Sequence, residues 1–445
     1  MTGDTRERMP GDGLVRGIGR WSLVALMVNV TIGAGIFGLP SRLFAMAGTY
    51  SLMAFVACAI VIALAALCFA EMSTRFTSTG GAYLYARKTF GPLVGFEMGW
   101  LSWLARLTGF ASICNLFLIY LAYFWPAANQ GATRTLLIAL LIGTFTSIQL
   151  IGVRESAYVS NVFTVAKLIP LFIFIGVGLF FIRAENFTFT EAPRYRDFSG
   201  ATMLLVFAFS FEGGLFPGGE TQDPKRNFPF ALLASTTVVA IVYLLVQLVC
   251  IGTLPGLATS SRPLTDAATL FLGPSGAVMI SVGALISMAG TLHVNILGTS
   301  RILFAISEQG QLPAAIASVH PRFRTPHVAI LISAVTVLGI SVFYSFIAAV
   351  TISAMIRLSI YIITCAGVIA LRFRGPPDES GFVVPGGIVI PVIVIILAIW
   401  LLTNSTGREV RDASIAAAMG LVVYAAFIRQ IDRGRARVTE GARPQ

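Results

Sequence analysis

The chain has 445 residues, of which 56% are hydrophobic and only 11% are charged. Soluble domains carry about 25% charged residues, so this composition excludes a globular soluble protein. The net charge is +11, but it is unevenly spread, with nineteen Lys and Arg residues in the segments on one predicted side of a membrane and seven on the other. Such a bias follows the positive-inside rule and argues against nucleic acid as a partner.

The apolar runs of the sequence predict twelve transmembrane helices. A helix needs about 20 apolar residues to cross the hydrocarbon core of a bilayer, and most of the runs reach that length. The predicted spans are 21–45, 49–71, 93–124, 133–152, 157–182, 199–219, 228–254, 274–306, 327–345, 347–371, 387–403 and 412–429.

The distribution of basic residues predicts the orientation of the chain. Residues 1–20 and 430–445 are basic and polar, and we expect them to be cytoplasmic tails of a multi-pass protein of the cell (plasma) membrane. The same rule puts 220–227 in the cytoplasm and the segments 183–198 and 255–272 outside. The positive charge then serves topology and attraction to the anionic inner leaflet.

Two of the predicted spans are interrupted by glycine. The first interruption is Thr31–Pro40, with the sequence TIGAGIFGLP, and the second is Phe209–Gly219, with the sequence FSFEGGLFPGG. In lipid, an unpaired peptide group costs several kcal/mol, so such a break must face protein or a cavity. A pair of interrupted spans at corresponding places in two halves indicates the binding site of a secondary transporter.

The positions of the breaks predict an internal repeat. They fall in spans 1 and 6, so each repeat holds five spans and the second enters the bilayer from the opposite side. The sequence therefore predicts an all-α integral membrane fold, with a 5+5 inverted repeat and broken helices 1 and 6. We expect the first repeat at 21–182, the second at 199–371, and two additional C-terminal helices within 387–429.

Seven short motifs occur in a consistent order along the chain. They are the break Gly33–Phe37, the segment Ser78–Tyr83, Phe90–Pro92 with Gly99 and Trp100, Lys167 in span 5, Gly219–Pro229 after span 6, Leu297–Arg301, and His320–Phe323. With these motifs the chain resembles the amino acid–polyamine–organocation superfamily from about Trp21 to Arg374. The resemblance implies the inverted-repeat fold, alternating access, and substrates that are usually amino acids or their amines.

The chemistry of the breaks suggests how a substrate is held. Unpaired amides and the helix dipole at the break in span 1 suit an α-carboxylate, although close helix packing through Gly-x-Gly is the alternative. Carbonyls before the break in span 6 suit an ammonium group, with phenylalanines as an apolar wall. The predicted substrate-binding residues are Thr31, Ile32, Gly33, Ala34, Gly35, Arg106, Phe207, Phe209, Ser210, Phe211, Glu212 and Gly213.

Three charged residues fall deep within the predicted spans near these breaks. A charge inside the bilayer is expensive, so Arg106, Lys167 and Glu212 are expected to be paired or functional. Arg106 either pairs with Glu212 or contacts a substrate carboxylate, and the sequence does not decide between these. Lys167 is the predicted coupling residue, because burial disfavours its charged form and the resemblance puts it where sodium-coupled relatives bind an ion. The alternative is a permanently charged lysine held by backbone carbonyls.

These observations predict a secondary active amino acid permease that is proton-coupled or an exchanger. Neutral amino acids are favoured, since the two cations offset Glu212; a cationic amino acid or polyamine transporter or antiporter is the alternative, and a transport-silent nutrient sensor is a remoter one. A channel would not require paired breaks, and the protease and esterase motifs of intramembrane enzymes are missing from the sequence. The expected partners are a small-molecule amino acid, the lipid bilayer and a proton, with no cofactor and no metal. The oligomeric state is left open.

Overall fold

The computed structural model describes residues 19–76, 81–152, 157–189, 191–211, 222–375, 381–403 and 405–441. Of these, the side chains of 157–165, 224, 297 and 428–441 lie outside the description. The described residues are nearly all helical and contain no strand, which confirms the predicted all-α class.

Fifteen α-helices follow one another within the described ranges. They are α1 (Arg20–Thr31), α2 (Gly35–Gly38), α3 (Pro40–Ala47), α4 (Ser51–Arg75), α5 (Gly81–Phe90), α6 (Pro92–Leu121), α7 (Gly131–Ile151), α8 (Ala157–Gly178), α9 (Tyr195–Ala208), α10 (Pro224–Thr253), α11 (Pro263–Glu308), α12 (His327–Phe343), α13 (Phe346–Arg374), α14 (Val389–Leu402) and α15 (Gly407–Gly441).

Eight stretches of the described chain are long and apolar enough to cross a membrane. Three shorter apolar helices accompany them, at Ala166–Phe181, His327–Phe343 and Val389–Leu402. These stretches coincide with predicted spans, and the total of twelve stays a prediction. The eight are Arg20–Gly38, Pro40–Arg75, Pro92–Leu121, Gly131–Ile151, Lys225–Thr253, Pro263–Glu308, Phe346–Arg374 and Gly407–Phe427.

A helix ends at each of the two predicted breaks. In span 1, α1 ends at Thr31 and α2 begins only at Gly35. In span 6, α9 ends at Ala208, and residues 209–211 are not helical. Residues 212–221 lie outside the described part, so the far side of the second break is not defined.

Two glycines set helix boundaries through backbone conformations that other residues rarely adopt. Gly91 has a φ of +96° between α5 and α6, and Pro92 then starts α6. Gly273 has a φ of +68° inside α11 and is followed by Pro274, so α11 consists of a short segment and a long helix joined at a kink. The predicted span 274–306 begins at this kink. The short segment before it, from Pro263, was not predicted.

The helices pack in two groups around the breaks. α1 and α4 both lie against α10, and α4 also lies against α9. On the other side, α6 packs against α11, α12 and α13. The break after α1 and the end of α9 belong to the first group, and α11 and α13 border them from the second.

Candidate functional site

The break in span 1 is a short buried segment with the start of a helix behind it. The Ile32 amide still bonds to the Val28 carbonyl at 2.9 Å, which completes α1. The Ala34 carbonyl accepts the amides of Phe37 at 3.1 Å and Gly38 at 3.2 Å, which begins α2. Within the described part of the chain, the Gly35 amide donates no backbone hydrogen bond. An amide at a helix start, with no intrahelical acceptor, is suited to a carboxylate.

Lys167 reaches the open end of α1 from α8. Its ammonium group donates to the carbonyl of Ile32 at 2.8 Å and also to the carbonyl of Asn29. The residue is only 5% exposed. The lysine thus satisfies carbonyls that the end of α1 would otherwise leave without a donor, and its position fixes the geometry of the break.

Tyr243 connects the two breaks. Its hydroxyl lies 2.9 Å from the Thr31 carbonyl oxygen, at the end of α1, and 3.2 Å from the Ala208 carbonyl oxygen, at the end of α9. The side chain is fully buried on α10. One hydroxyl has one proton, so it can bond fully to only one of the two carbonyls at a time.

The two breaks also touch directly. A Cβ atom placed on Gly35 would lie 2.7 Å from the Cβ of Ala208 and 2.9 Å from its Cα, which is too close for any side chain. Gly33 is less crowded, since its added Cβ would lie 3.4 Å from the Thr291 side chain on α11. Gly35 therefore lets α2 approach α9, whereas Gly33 faces α11.

The phenylalanines at the end of α9 and just after it have different surroundings. Phe207 is buried against Gly109 of α6, whose added Cβ would lie 3.5 Å from the ring. The Phe209 ring packs on Tyr243 with centroids 5.2 Å apart. The Phe211 ring stacks on Tyr361 of α13 at 5.6 Å. These contacts place Phe207 and Phe209 beside the breaks, while Phe211 packs between helices of the two groups.

Four predicted binding residues remain, and the structure describes two of them. Arg106 is half-buried on α6, and one of its terminal nitrogens would lie 2.8 Å from a Cβ added to Gly298, so the guanidinium lies against α11. Ser210 is half-buried at the second break. Glu212 and Gly213 lie outside the described residues, and the expected pairing of Arg106 with Glu212 stays a prediction.

Sequence analysis missed Tyr243 and Thr291. Tyr243 and Gln247 are four residues apart in an otherwise apolar stretch of α10, so they share one face of the helix. Gln247 donates to the Ser51 hydroxyl at 2.9 Å, on α4. A polar pair at this spacing within a span is the signal that could have identified the face of α10 turned toward the breaks. For Thr291 the sequence offers no comparable signal.

The described residues around the breaks include groups that suit a small organic guest. They contain no group of three or more His, Cys, Asp or Glu side chains that could hold a metal. Instead they offer a helix start with a free amide, a lysine, a tyrosine hydroxyl and aromatic walls. Together with two interrupted helices meeting at the centre of a helical membrane bundle, this arrangement defines a membrane transporter of the broken-helix class.

Comparisons with known proteins identify the family. The sequence model described as "Amino acid permease" matches residues 18–427. The chain therefore belongs to the amino acid permease family, and it is a multi-pass membrane transporter rather than an enzyme.

Individual relatives agree with this assignment. The methylthioribose transporter of Bacillus subtilis is 27% identical, with 94% of each chain covered. The branched-chain amino acid permease BcaP of the same organism is 26% identical, again with 94% of each chain covered. Among solved structures, MhsT in complex with L-phenylalanine matches with a TM-score of 0.64 and 13% identity, over 88% of this chain and 100% of that chain. At that identity the likeness shows the fold, which is the fold predicted from the breaks.

Proposed function

We propose that the protein is a secondary active amino acid transporter that works by alternating access. The observation that carries this proposal is the Tyr243 hydroxyl, which lies within 3.2 Å of a carbonyl from each broken helix. A substrate bound between the breaks would therefore contact elements that Tyr243 already joins. Substrate binding can then favour one arrangement of both helices over another, as a shift between two conformations requires.

The carboxylate and ammonium groups of an amino acid fit opposite parts of this site. The start of α2 offers the Gly35 amide to the carboxylate, and the carbonyls at the end of α9 suit the ammonium group. Gly33 leaves room for the main chain of the substrate to approach. The side chain of the substrate would then point toward Phe207 and Phe209.

We propose proton coupling or exchange, without sodium dependence. Lys167 already occupies the carbonyls of Asn29 and Ile32 with its ammonium group. A sodium ion would need those oxygens, because hard cations bind through carbonyl and carboxylate oxygens. The free energy of protonating a buried lysine depends on its surroundings. Such a lysine can make transport depend on pH, whereas a sodium site makes transport depend on the sodium concentration.

The coupling proposal has a direct test in purified protein. We expect uptake of labelled amino acid into proteoliposomes to proceed without sodium and to respond to an imposed pH gradient or to internal amino acid. Lys167→Ala should remove the pH response, and Lys88→Ala, which changes an exposed lysine on α5, is the matched control that should keep it. Sodium-dependent uptake that ignores pH, or a full pH response in Lys167→Ala, would contradict the proposal.

We propose neutral amino acids as the favoured substrates. The sequence predicts two cations near the breaks, Arg106 and Lys167, against one acid, Glu212, so a guest with extra positive charge would be disfavoured. The printed name of one relative refers to branched-chain amino acids, which are neutral, and this supports the choice. The name of another refers to methylthioribose, so this thioether sugar belongs in the test.

A competition panel at fixed pH decides the substrate class. Unlabelled leucine, serine and phenylalanine should inhibit uptake, while arginine, lysine and putrescine should not. Inhibition by the amines alone would reverse the proposal in favour of a cationic amino acid or polyamine transporter. Strong inhibition by methylthioribose alone would remove amino acids as the substrate. Tight binding with no uptake under any gradient would indicate a nutrient sensor.

A further inference from the structure

A buried carboxylate with a complete set of donors lies near the end of α4. The Glu71 side chain, near the end of α4, has no exposed surface. It accepts hydrogen bonds from Arg75 at 2.8 Å, from two nitrogens of Arg372 at 3.2 Å and 2.5 Å, and from the Val384 amide at 2.9 Å. Four donors on two carboxylate oxygens satisfy the group fully, and the paired bonds from Arg372 fix its direction as well as its distance.

The donors join three parts of the chain. Arg75 belongs to α4 itself, Arg372 lies in the last turn of α13, and Val384 lies between α13 and α14. Arg372 also donates to the Val384 carbonyl at 3.1 Å. The Thr74 hydroxyl lies 3.3 Å from the carbonyl of Phe382 and adds a second link from α4 to the same segment. Glu71 therefore fastens the end of α13 and the approach to α14 onto α4.

This connection crosses between the two groups of helices. α4 lies against α9 and α10, which carry the second break and Tyr243, while α13 packs mainly against α6 and also contacts α9 and α4 at the boundary. A layer of aromatic rings crosses the same boundary nearer to the breaks. Phe69 of α4 contacts Phe211 at 5.2 Å and Tyr361 of α13 at 5.7 Å.

A buried ion pair of this kind is weak evidence for stability. The cost of removing two charges from water offsets much of their attraction, so such pairs are often no more stabilising than apolar contacts. What the pair does provide is one defined arrangement of α13 relative to α4. Alternating access requires the two groups to change their arrangement, and this pair joins a helix of one group to a helix of the other.

We propose that the Glu71–Arg372 pair is a latch that holds the passage between α4 and α13 closed on the cytoplasmic side and opens during each transport cycle. The proposal rests on the alternating access and orientation proposed above. In it, both residues are positioning residues, because they act through the helices they connect and do not touch the substrate. Breaking the latch should raise the fraction of protein whose site is open to the cytoplasm.

The test measures access to the second break. The full chain is prepared with its five cysteines replaced by alanine and with Ser210→Cys as a reporter, and labelling by an impermeant thiol reagent is followed from the cytoplasmic side. In this background, Glu71→Gln with Arg372→Gln should speed labelling about tenfold or more, since lost hydrogen bonds to charged groups shift the equilibrium by at least that factor. Replacing both residues avoids leaving either member of the Glu71–Arg372 pair charged and without the other.

Two further variants make the outcome decisive. Arg372→Lys keeps the charge but cannot make the paired bonds, so its labelling rate should lie between those of the unsubstituted pair and the double variant. It also provides a test if the double variant fails to fold. Glu185→Gln breaks an exposed pair with Arg183, 3.9 Å apart, and should change nothing. If both variants fold, unchanged labelling in both would overturn the latch. If the double variant does not fold, unchanged labelling in folded Arg372→Lys would overturn it.

Transport by the unsubstituted chain separates this proposal from the proposed function. With Ser210 and the native cysteines in place, the protein must take up amino acid in proteoliposomes; if it does not, transport itself fails. If it does, the latch variants should change the maximal uptake rate more than the substrate concentration at half-maximal uptake. If the variants lose thermal stability, change both kinetic parameters to the same extent and are not labelled faster, the pair is a structural contact and not a latch.

Discussion

Gly33 and Gly35 lie two residues apart in one break but meet different partners. An added Cβ on Gly35 would come within 2.9 Å of the Ala208 backbone, whereas on Gly33 its nearest neighbour would be the Thr291 side chain at 3.4 Å. We expect Gly35→Ala to destabilise the fold by about 1–3 kcal/mol, the usual cost of overpacking. Gly33→Ala should stay folded and bind substrate more weakly. Thermal unfolding in detergent and substrate titration measure the two effects, and the reverse pattern would exchange the roles of the two glycines.

Tyr243→Phe tests the link between the breaks. The variant keeps the ring, which packs on Phe55 and Phe209, but leaves the carbonyls of Thr31 and Ala208 without their donor. An unsatisfied buried group costs about 1–3 kcal/mol, so we expect the transport rate to fall by roughly tenfold, the equivalent of about 1.4 kcal/mol.

The control for this variant removes a buried tyrosine hydroxyl elsewhere. Tyr83 donates to Gln311 at 2.7 Å, between α5 and the segment after α11. Tyr83→Phe should lower thermal stability by a similar amount and leave substrate affinity unchanged. Full transport in Tyr243→Phe would mean that the hydroxyl is not needed to connect the two broken helices.

At this scale the sequence predicted the residues whose chemistry is unusual in lipid. Glycines inside an apolar run and a lysine at depth stand out from their neighbours, and they do lie at the break in span 1. Tyr243 does not stand out, because a tyrosine is a common residue in a span and its role depends on which carbonyls its hydroxyl reaches. The pairing of Glu71 with Arg372 was missed for the same reason, since the partners are far apart in sequence.

Among the helices, the C-terminal end of α12 is capped by side chains from α6 and α7. The amide of Asn115, on α6, donates to the carbonyls of Ser341 at 3.2 Å and Tyr344 at 3.1 Å. Arg134, on α7, donates to Ser341 at 3.1 Å as well as to the Asn115 side chain. Carbonyls at a helix end have no intrahelical donors, and a cation there also complements the helix dipole.

We therefore expect Asn115→Ala to lower the free energy of unfolding by about 1–3 kcal/mol, because the Tyr344 carbonyl loses its asparagine donor while the Ser341 carbonyl keeps Arg134. Thermal unfolding of the purified protein measures the change. Thr144→Ala is the control, because the Thr144 hydroxyl is exposed and bonds only within α7. Equal stability of the two variants would show that water replaces the asparagine at this helix end.

Hydropathy predicted the end of a helix correctly only where the polarity of the sequence changes at that end. The predicted start at residue 274 matches the kink at Gly273, because glycine and proline both interrupt a helix there. The segment from Pro263 to the kink is short and mixed in polarity, so a search for runs of about 20 apolar residues does not find it. Likewise α15 continues to Gly441, beyond the predicted end at 429, since charged residues end an apolar run without ending a helix.

For the whole molecule, orientation is the property on which transport direction and the latch both depend. The sequence predicts it from charge, because loops rich in Lys and Arg stay in the cytoplasm. Two exposed positions in described loops suit a test, Gln222 before α10 and Glu185 between α8 and α9. Substituted singly by cysteine in a background without the native cysteines, they should report opposite sides of the membrane.

In intact cells, Glu185→Cys should react with an impermeant thiol reagent from outside, and Gln222→Cys should react only after the membrane is opened. The native cysteines are buried, so their removal serves to lower the background rather than to expose a new site. The reason for the expected pattern is the excess of nineteen over seven basic residues on the predicted cytoplasmic side, each worth about 1 kcal/mol near an anionic inner leaflet. Labelling of Gln222→Cys in intact cells would contradict the twelve-span orientation. It would also place the Glu71–Arg372 pair on the outer side, where a latch would control release in the opposite direction.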